Sequence, residues 1–169
     1  MENNIMLDLE TMGTSSQAAV IAIGAVRFDK DAGIVDTFYR VVDLGSSVRH
    51  GLKIEPDTVL WWMRQSDDAR AKFDRPGIQL PHALTDFADW VGADALMWGN
   101  GASFDNTILS SAYEACGMEQ PWKFWNDRCY RTEKSRRPDV KMERSGTHHC
   151  AVDDAESQAR HLLDIWRSE

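Results

Sequence analysis

Near its amino terminus the chain carries an alternating segment, Ile5-Met6-Leu7-Asp8-Leu9-Glu10, which leads to Gly13 and two serines. Alternation with a period of two predicts a β-strand that continues into a loop. In such a strand the two carboxylates project from one face and the two leucines from the other. This pattern fits an edge strand with a solvated acidic face or a central strand that leads into a site. The apolar segment that follows favours a central position.

The rest of the chain is expected to alternate between strands and helices. Segments rich in β-branched residues predict strands at 18–28 and 35–42, which form an antiparallel meander with the first strand. Shorter strands are expected within 94–100 and 124–130. Helices are predicted at 57–65 with Asp57 as N-cap, at 81–90, at 105–116 and at 155–166. This order predicts an α/β fold, a mixed five-stranded sheet with meander strands and then parallel strands, flanked by helices on both faces.

Composition limits the function classes. The chain has 169 residues, with 19 Lys and Arg against 27 Asp and Glu and a net charge of -8, which argues against a basic nucleic-acid coat protein. The length predicts a single domain over 1–169. The longest apolar run, 18–26, is shorter than the ~20 residues of a membrane helix. With no export signal and no paired cysteine motif, we expect no membrane partner and a cytoplasmic location, with Cys116, Cys129 and Cys150 reduced.

Two further segments place acids at element junctions. The segment 98–105, WGNGASFD, reads as a strand that ends in a loop of small residues before Asp105 opens a helix. Asp105 fits a helix cap or first-turn acid, and it equally fits a carboxylate at the carboxyl end of a strand, where α/β sheets build sites. His149 and Asp154 lie five residues apart around the start of the last helix, so both could face one cleft. Taken singly, they fit a surface histidine and a cap.

The ordered set Asp8-x-Glu10, Asp105 and His149-x4-Asp154 resembles the DEDDh class of 3′–5′ exonucleases, the DnaQ-like group with a ribonuclease H-like fold. The resemblance runs from about residue 6 to residue 166. The stretches 10–14, 23–26, 58–62 and 98–101 are similar to phage exonuclease A-like proteins and the mycobacterial RNase AS group. The family pattern His-x-Ala-x-x-Asp-Ala fits the frame that begins at His149, and not the frame one residue earlier.

The resemblance implies a metal-dependent 3′–5′ exonuclease that releases nucleoside 5′-monophosphates from single-stranded nucleic acid, with DNA slightly favoured over RNA. The implied catalytic residues are Asp8, Glu10, Asp105, His149 and Asp154. His149 would be the general base, and the four carboxylates would hold two divalent cations, with Asp8 bridging both. Like charges ~4 Å apart repel by roughly 4 kcal/mol per pair at a dielectric constant near 20, so carboxylates in one cleft need cations. Oxygen ligands favour Mg²⁺ or Mn²⁺.

Substrate contacts are expected from four residues. By the same resemblance, Thr11 and Met12 would line the terminal nucleotide. Trp62 and Phe104 are candidates for base stacking, and core packing is the competing interpretation for the Trp61-Trp62 pair. Eight of the 19 basic residues lie within 123–144 against four acids. This segment, expected to be a loop, is either a phosphate-binding surface or a solvated basic loop.

Two other functions remain open at this point. The same site could hydrolyse short oligonucleotides or dinucleotides, as oligoribonuclease-like enzymes do. A catalytically silent adaptor that binds nucleic acid is the second alternative. The expected partner is the 3′ end of single-stranded DNA or RNA. Because relatives pair, a homodimer is also expected.

Overall fold

The computed structural model describes residues 2–168 and contains a five-stranded sheet. The strands are β1 Asn4–Thr11, β2 Val20–Asp29, β3 Gly33–Val41, β4 Leu96–Gly99 and β5 Asp127–Cys129. Their order in the sheet is β3-β2-β1-β4-β5; the first three strands are antiparallel, β4 runs parallel to β1, and β5 runs parallel to β4. The helices are α1 Leu44–Arg49, α2 Pro56–Met63, α3 Asp67–Ala71, α4 Leu80–Val91, α5 Asp105–Ala115, α6 Tyr130–Arg136 and α7 Ala151–Arg167. The predicted mixed sheet is confirmed.

Strand β1 lies at the centre of the sheet, which excludes the edge-strand alternative. Its leucine face packs into the larger core, which includes the apolar stripes of α4 and α5. On the opposite face, Met6 packs with β2 and with the apolar stripe of α7. Asp8 and Glu10 lie on the face that α7 covers because side chains alternate along the strand.

Gly24 allows α7 to approach the sheet closely. It pairs with Asp8 across β1 and β2. A Cβ atom at Gly24 would overlap backbone atoms of Ala151 and Val152 at the start of α7. The amino terminus of the last helix therefore lies against the middle of the central strands, beside the acidic face of β1.

Several local predictions need correction. The N-cap of α2 is Glu55 and not Asp57, since Pro56 takes the first helical position. The Glu55 carboxylate instead accepts hydrogen bonds from the backbone amides of Thr14 and Ser15. The expected strand within 124–130 is reduced to β5, after a 3₁₀ turn at Phe124–Asn126. The basic segment 123–144 is not simply a loop, because it contains β5 and α6.

Within residues 2–168, no helix is long and apolar enough to cross a bilayer. The thiols of Cys116, Cys129 and Cys150 are free. The predicted domain of residues 1–169 extends to Met1 and Glu169, which lie outside the described residues, and it stays a prediction.

Candidate active site

The carboxyl ends of β1 and β4 and the amino terminus of α7 border a cleft of about 880 Å³. All five residues predicted to be catalytic line it: Asp8, Glu10, Asp105, His149 and Asp154. Of the residues predicted to contact substrate, Thr11, Trp62 and Phe104 also line the cleft. Met12 does not; it packs against Ile21 and Trp62 and lines a separate apolar cavity.

Three carboxylates form a compact acidic group in the cleft. Oxygens of Asp8, Glu10 and Asp154 lie within 4.8 Å of one another. Burial, reinforced by the charges of neighbouring carboxylates, raises the pKa of Asp8 well above its usual value and that of Glu10 to about 8. When no cation is bound, these crowded carboxylates tend to bind protons. Their oxygens are the hard ligands that a divalent cation such as Mg²⁺ or Mn²⁺ prefers. Asp8, Glu10 and Asp154 are the residues that would hold it.

Asp105 is tied to the central strand. Its Oδ1 accepts the backbone N–H of Leu9 at 3.1 Å, and its Oδ2 accepts that of Asn100 at 3.2 Å. Burial raises its pKa to about 7, although these hydrogen bonds act in the opposite direction. Phe104 is the N-cap, so Asp105 is a first-turn acid of α5. Its carboxylate lies outside the compact acidic group, and metal binding by Asp105 stays a prediction.

Polar side chains hold the acids in place. Gln158 Nε2 donates to Asp8 Oδ1 at 2.9 Å, and Arg144 Nη1 lies 2.7 Å from Asp154 Oδ1. No motif in the sequence points to Gln158, although its position four residues after Asp154 places both side chains on one face of α7. Arg144, counted there only among the basic residues, forms an ion pair inside the cleft.

His149 has a constrained position. It is the single non-glycine residue with positive φ, 63°, within the part of the chain that the structure describes. Its backbone N–H donates to Asp154 Oδ2 at 2.9 Å, which holds this sparsely populated conformation. Its ring stacks on that of His148 at 3.7 Å and meets the edge of Trp61 at 4.8 Å, measured between ring centroids. Burial and the neighbouring His148 lower its pKa, so the imidazole is neutral near pH 7.

The two adjacent tryptophans have different environments. Trp62 is 6% exposed, and its Nε1 donates to the carbonyl of Thr11 at 2.9 Å. It thereby anchors the end of β1 to α2. Trp61 is 40% exposed, lines the cleft and packs against His149. The ring that is accessible for stacking is thus Trp61, and not the Trp62 that the sequence predicts.

Comparison with known proteins identifies relatives along nearly the whole chain. A family model described as the 3′-5′ exoribonuclease Rv2179c-like domain matches residues 3–166. The exodeoxyribonuclease of Enterobacteria phage T4 is 27% identical, in an alignment that covers 76% of this chain and 69% of the phage protein. The PolC-type DNA polymerase III of Staphylococcus haemolyticus is 33% identical over 68% of this chain, and the match spans 7% of that polymerase.

Solved structures share the fold at low sequence identity. The nuclease domain of 3′hExo, a DEDDh family member bound to rAMP, matches with a TM-score of 0.68 and 14% identity, over 99% of this chain and 92% of that one. Escherichia coli exonuclease I in complex with a dT13 oligonucleotide gives a TM-score of 0.70 and 12% identity, over 98% and 41%. Schizosaccharomyces pombe Pop2p in its Mg²⁺- and Mn²⁺-bound form gives 0.63 and 14%, over 97% and 82%. The chain therefore has the ribonuclease H-like fold and belongs to the Rv2179c-like 3′-5′ exoribonuclease domain family.

Proposed function

We propose that this 3′–5′ exonuclease removes nucleoside 5′-monophosphates from single-stranded nucleic acid with the help of two divalent cations, Mg²⁺ or Mn²⁺. The observation that carries the proposal is the group of Asp8, Glu10 and Asp154 oxygens within 4.8 Å of one another, with His149 lining the same cleft. The bound cations supply positive charge that offsets the carboxylates and the phosphodiester. Asp105 completes the acidic set from the first turn of α5.

His149 is the residue that takes the proton in the proposed hydrolysis. The neutral imidazole of His149 accepts a proton from the attacking water. The water oxygen bonds to phosphorus and the bond from phosphorus to the 3′ oxygen breaks. The 3′ oxygen takes up a proton from solvent, so the shortened strand leaves with a 3′ hydroxyl and the released nucleotide carries the 5′ phosphate. The lowered pKa of His149 keeps its ring free to accept this proton near pH 7.

A single strand suits the walls of the cleft. The exposed ring of Trp61 offers a stacking surface, and such contacts contribute about 1–3 kcal/mol per base. Partly buried Phe104 lines the cleft on the α5 side. We propose that both sugars are accepted, with DNA slightly preferred. The phage exodeoxyribonuclease supports the preference for DNA, and the description of the family model as an exoribonuclease supports RNA as a second substrate.

The test follows the release of labelled mononucleotide from 3′-labelled DNA and RNA strands of matched sequence in Mn²⁺. We expect release by the wild type, loss of release in EDTA, and loss of release in Asp8→Ala with an unchanged circular dichroism spectrum. Asp31→Asn, in the turn between β2 and β3, is the control and should retain activity. Release that survives EDTA or Asp8→Ala would contradict the proposal.

Location and assembly complete the proposal. The free thiols of Cys116, Cys129 and Cys150 support the reducing cytoplasm as the place of action.

A homodimer is proposed as well, and the exposed rings of Phe124 and Trp125, 71% and 63% accessible, support an interface outside the cleft. Light scattering coupled to gel filtration measures the assembly, and Trp125→Ala should shift it toward the monomer.

A further inference from the structure

A second concavity, of about 650 Å³, lies beside the cleft. Asn100 and Arg131 line both, so the two concavities adjoin at these residues. We call the concavity of about 650 Å³ the basic groove. Its lining consists of Asn100, Arg131, Lys134, Ser135, Pro138, Val140, Lys141, Met142 and His161.

The basic groove carries three cationic side chains and no carboxylate. Three of the other basic residues of 123–144 form ion pairs: Arg136 with Glu133, Arg137 with Asp139 and Arg144 with Asp154. Within residues 2–168, no salt bridge involves Arg131, Lys134 or Lys141.

The polar contacts of these three residues are with neutral groups. Arg131 Nη2 donates to the carbonyl of Asn100 at 2.8 Å, and Lys141 Nζ donates to that of Pro138 at 2.8 Å. Lys134 Nζ lies 6.0 Å from the centre of the Tyr130 ring. Among residues 2–168 no carboxylate lies within salt-bridge distance of these three charges, and the charges of Arg131 and Lys141 act on Asp105 and Asp139 only from farther away.

The walls of the basic groove are anchored to the core. Arg131, Lys134 and Ser135 share one face of α6 because they stand at positions i, i+3 and i+4. Tyr130 Oη and His161 Nδ1 are 2.7 Å apart, and His161 Nε2 is 2.9 Å from the Val140 carbonyl. These buried contacts fix both α6 and the following loop to α7. The three cationic side chains therefore extend from backbone that is held in place by the core.

We propose that the basic groove binds backbone phosphates of the nucleic-acid strand on the 5′ side of the scissile bond. The inference rests on the proposed function, because the proposed function places the 3′ end of a nucleic-acid strand in the cleft. A strand that leaves the cleft past Asn100 and Arg131 meets Lys134 and Lys141 next. Phosphates are the repeating anions that such cations bind irrespective of base sequence. The substrate class is thus an extended strand and not a dinucleotide, which ends before it reaches the two lysines.

The test compares strand lengths in binding and in turnover. Binding of 5′-labelled dinucleotide and 12-mer is measured by fluorescence anisotropy in the Asp8→Asn background, with or without Lys134→Glu and Lys141→Glu together. We expect the double charge reversal to weaken 12-mer binding roughly 10-fold or more and to leave dinucleotide binding within about 2-fold. The slope of log K against log salt for the 12-mer should fall in magnitude by about 1.4, which is about 0.7 for each lost contact.

Turnover supplies the second measurement, in protein with Asp8 intact. The kcat/KM for the 12-mer should fall by the same factor, and that for the dinucleotide should not change. Lys30→Glu, in the turn between β2 and β3 beside the amino end of β1, is the control and should behave as the wild type. An equal loss for both lengths, or an unchanged salt slope, overturns the inference. If the proposed function itself is wrong, the wild type hydrolyses neither the 12-mer nor the dinucleotide. That result differs from both of the outcomes that overturn the inference.

Discussion

At the scale of single residues, His149 sets the pH range in which the proposed hydrolysis can proceed. Its pKa is lowered first by burial and then by the charge of His148, and the opposing influence of Asp154 does not cancel these effects. A general base works only in its neutral form, so a lowered pKa extends activity toward acidic pH. The left-handed backbone of His149, held by its N–H bond to Asp154, keeps the ring in the cleft.

The first prediction concerns the acidic limb of the pH–rate profile. With saturating Mn²⁺, kcat/KM should fall only below the ordinary histidine pKa of about 6.5. His149→Gln should lower kcat by about 10²- to 10⁴-fold and remove the limb, because the proton acceptor is lost. His148→Gln should shift the limb to higher pH, since the electrostatic interaction with His148 that lowers the pKa of His149 is gone. A limb that is unchanged in His149→Gln would assign the base role to another group.

At the scale of elements, the contact between α7 and the sheet brings the acids from opposite ends of the chain together. Gly24 pairs with Asp8 on β1 and faces the start of α7, which carries Asp154 in its first turn. Any side chain at position 24 has to displace the backbone of Ala151 and Val152. The cleft therefore depends on a residue that contributes no functional group to it.

The second prediction is that Gly24→Ala lowers kcat by about 10²-fold or more, because a displacement near 1 Å between catalytic groups has an effect of this size. Overpacking should also lower the free energy of unfolding by about 1–3 kcal/mol, measured by urea denaturation. Gly45→Ala, whose added methyl group would meet only side-chain atoms of Arg49 and Asp43, is the matched control. If Gly24→Ala retained wild-type turnover, the close approach of α7 would not position the site.

The elements that sequence analysis predicted well are those with a long periodic pattern. The strands β1 to β3 alternate or are rich in β-branched residues over eight to ten positions. Helices α1, α3 and α6 were missed because five to seven residues are too few to show an amphipathic stripe. Strand β5 has only three residues, so pairing with β4 and not local pattern determines it.

Within the candidate site, spacing predicted the residues of the cleft better than their surroundings. Asp8 and Glu10 share a face by strand geometry alone, and the resemblance of the ordered set to the DEDDh class implied the other members. The choice between Trp61 and Trp62 depended on the rotation of α2 about its axis, which the sequence did not determine. The Arg144–Asp154 ion pair joins an irregular segment to a helix, so no periodicity predicts it.

At the scale of the whole molecule, the cleft concentrates negative charge in a protein whose net charge is already -8. The pKa values of Asp8, Glu10 and Asp105 are all raised, chiefly by burial. Acids with raised pKa values stabilise the folded state below the pKa of the unfolded chain, and this stability is lost as the pH rises through the folded pKa. The relevant values are about 7 for Asp105 and about 8 for Glu10.

The third prediction is that the metal-free protein loses thermal stability between about pH 5 and about pH 8, because folding then requires buried carboxylates to ionise without a counter-charge. Cations that bind the folded state restore this stability. Scanning calorimetry should show that Mg²⁺ raises Tm more at pH 8 than at pH 5, by on the order of 5 °C.

Asp8→Asn with Glu10→Gln should flatten the metal-free pH dependence and abolish the response to Mg²⁺, since both the buried charge and the ligands are removed. Asp31→Asn should follow the wild-type curve at every pH. Identical curves for the double variant and the wild type would show that the acids of the cleft are not the source of the pH dependence.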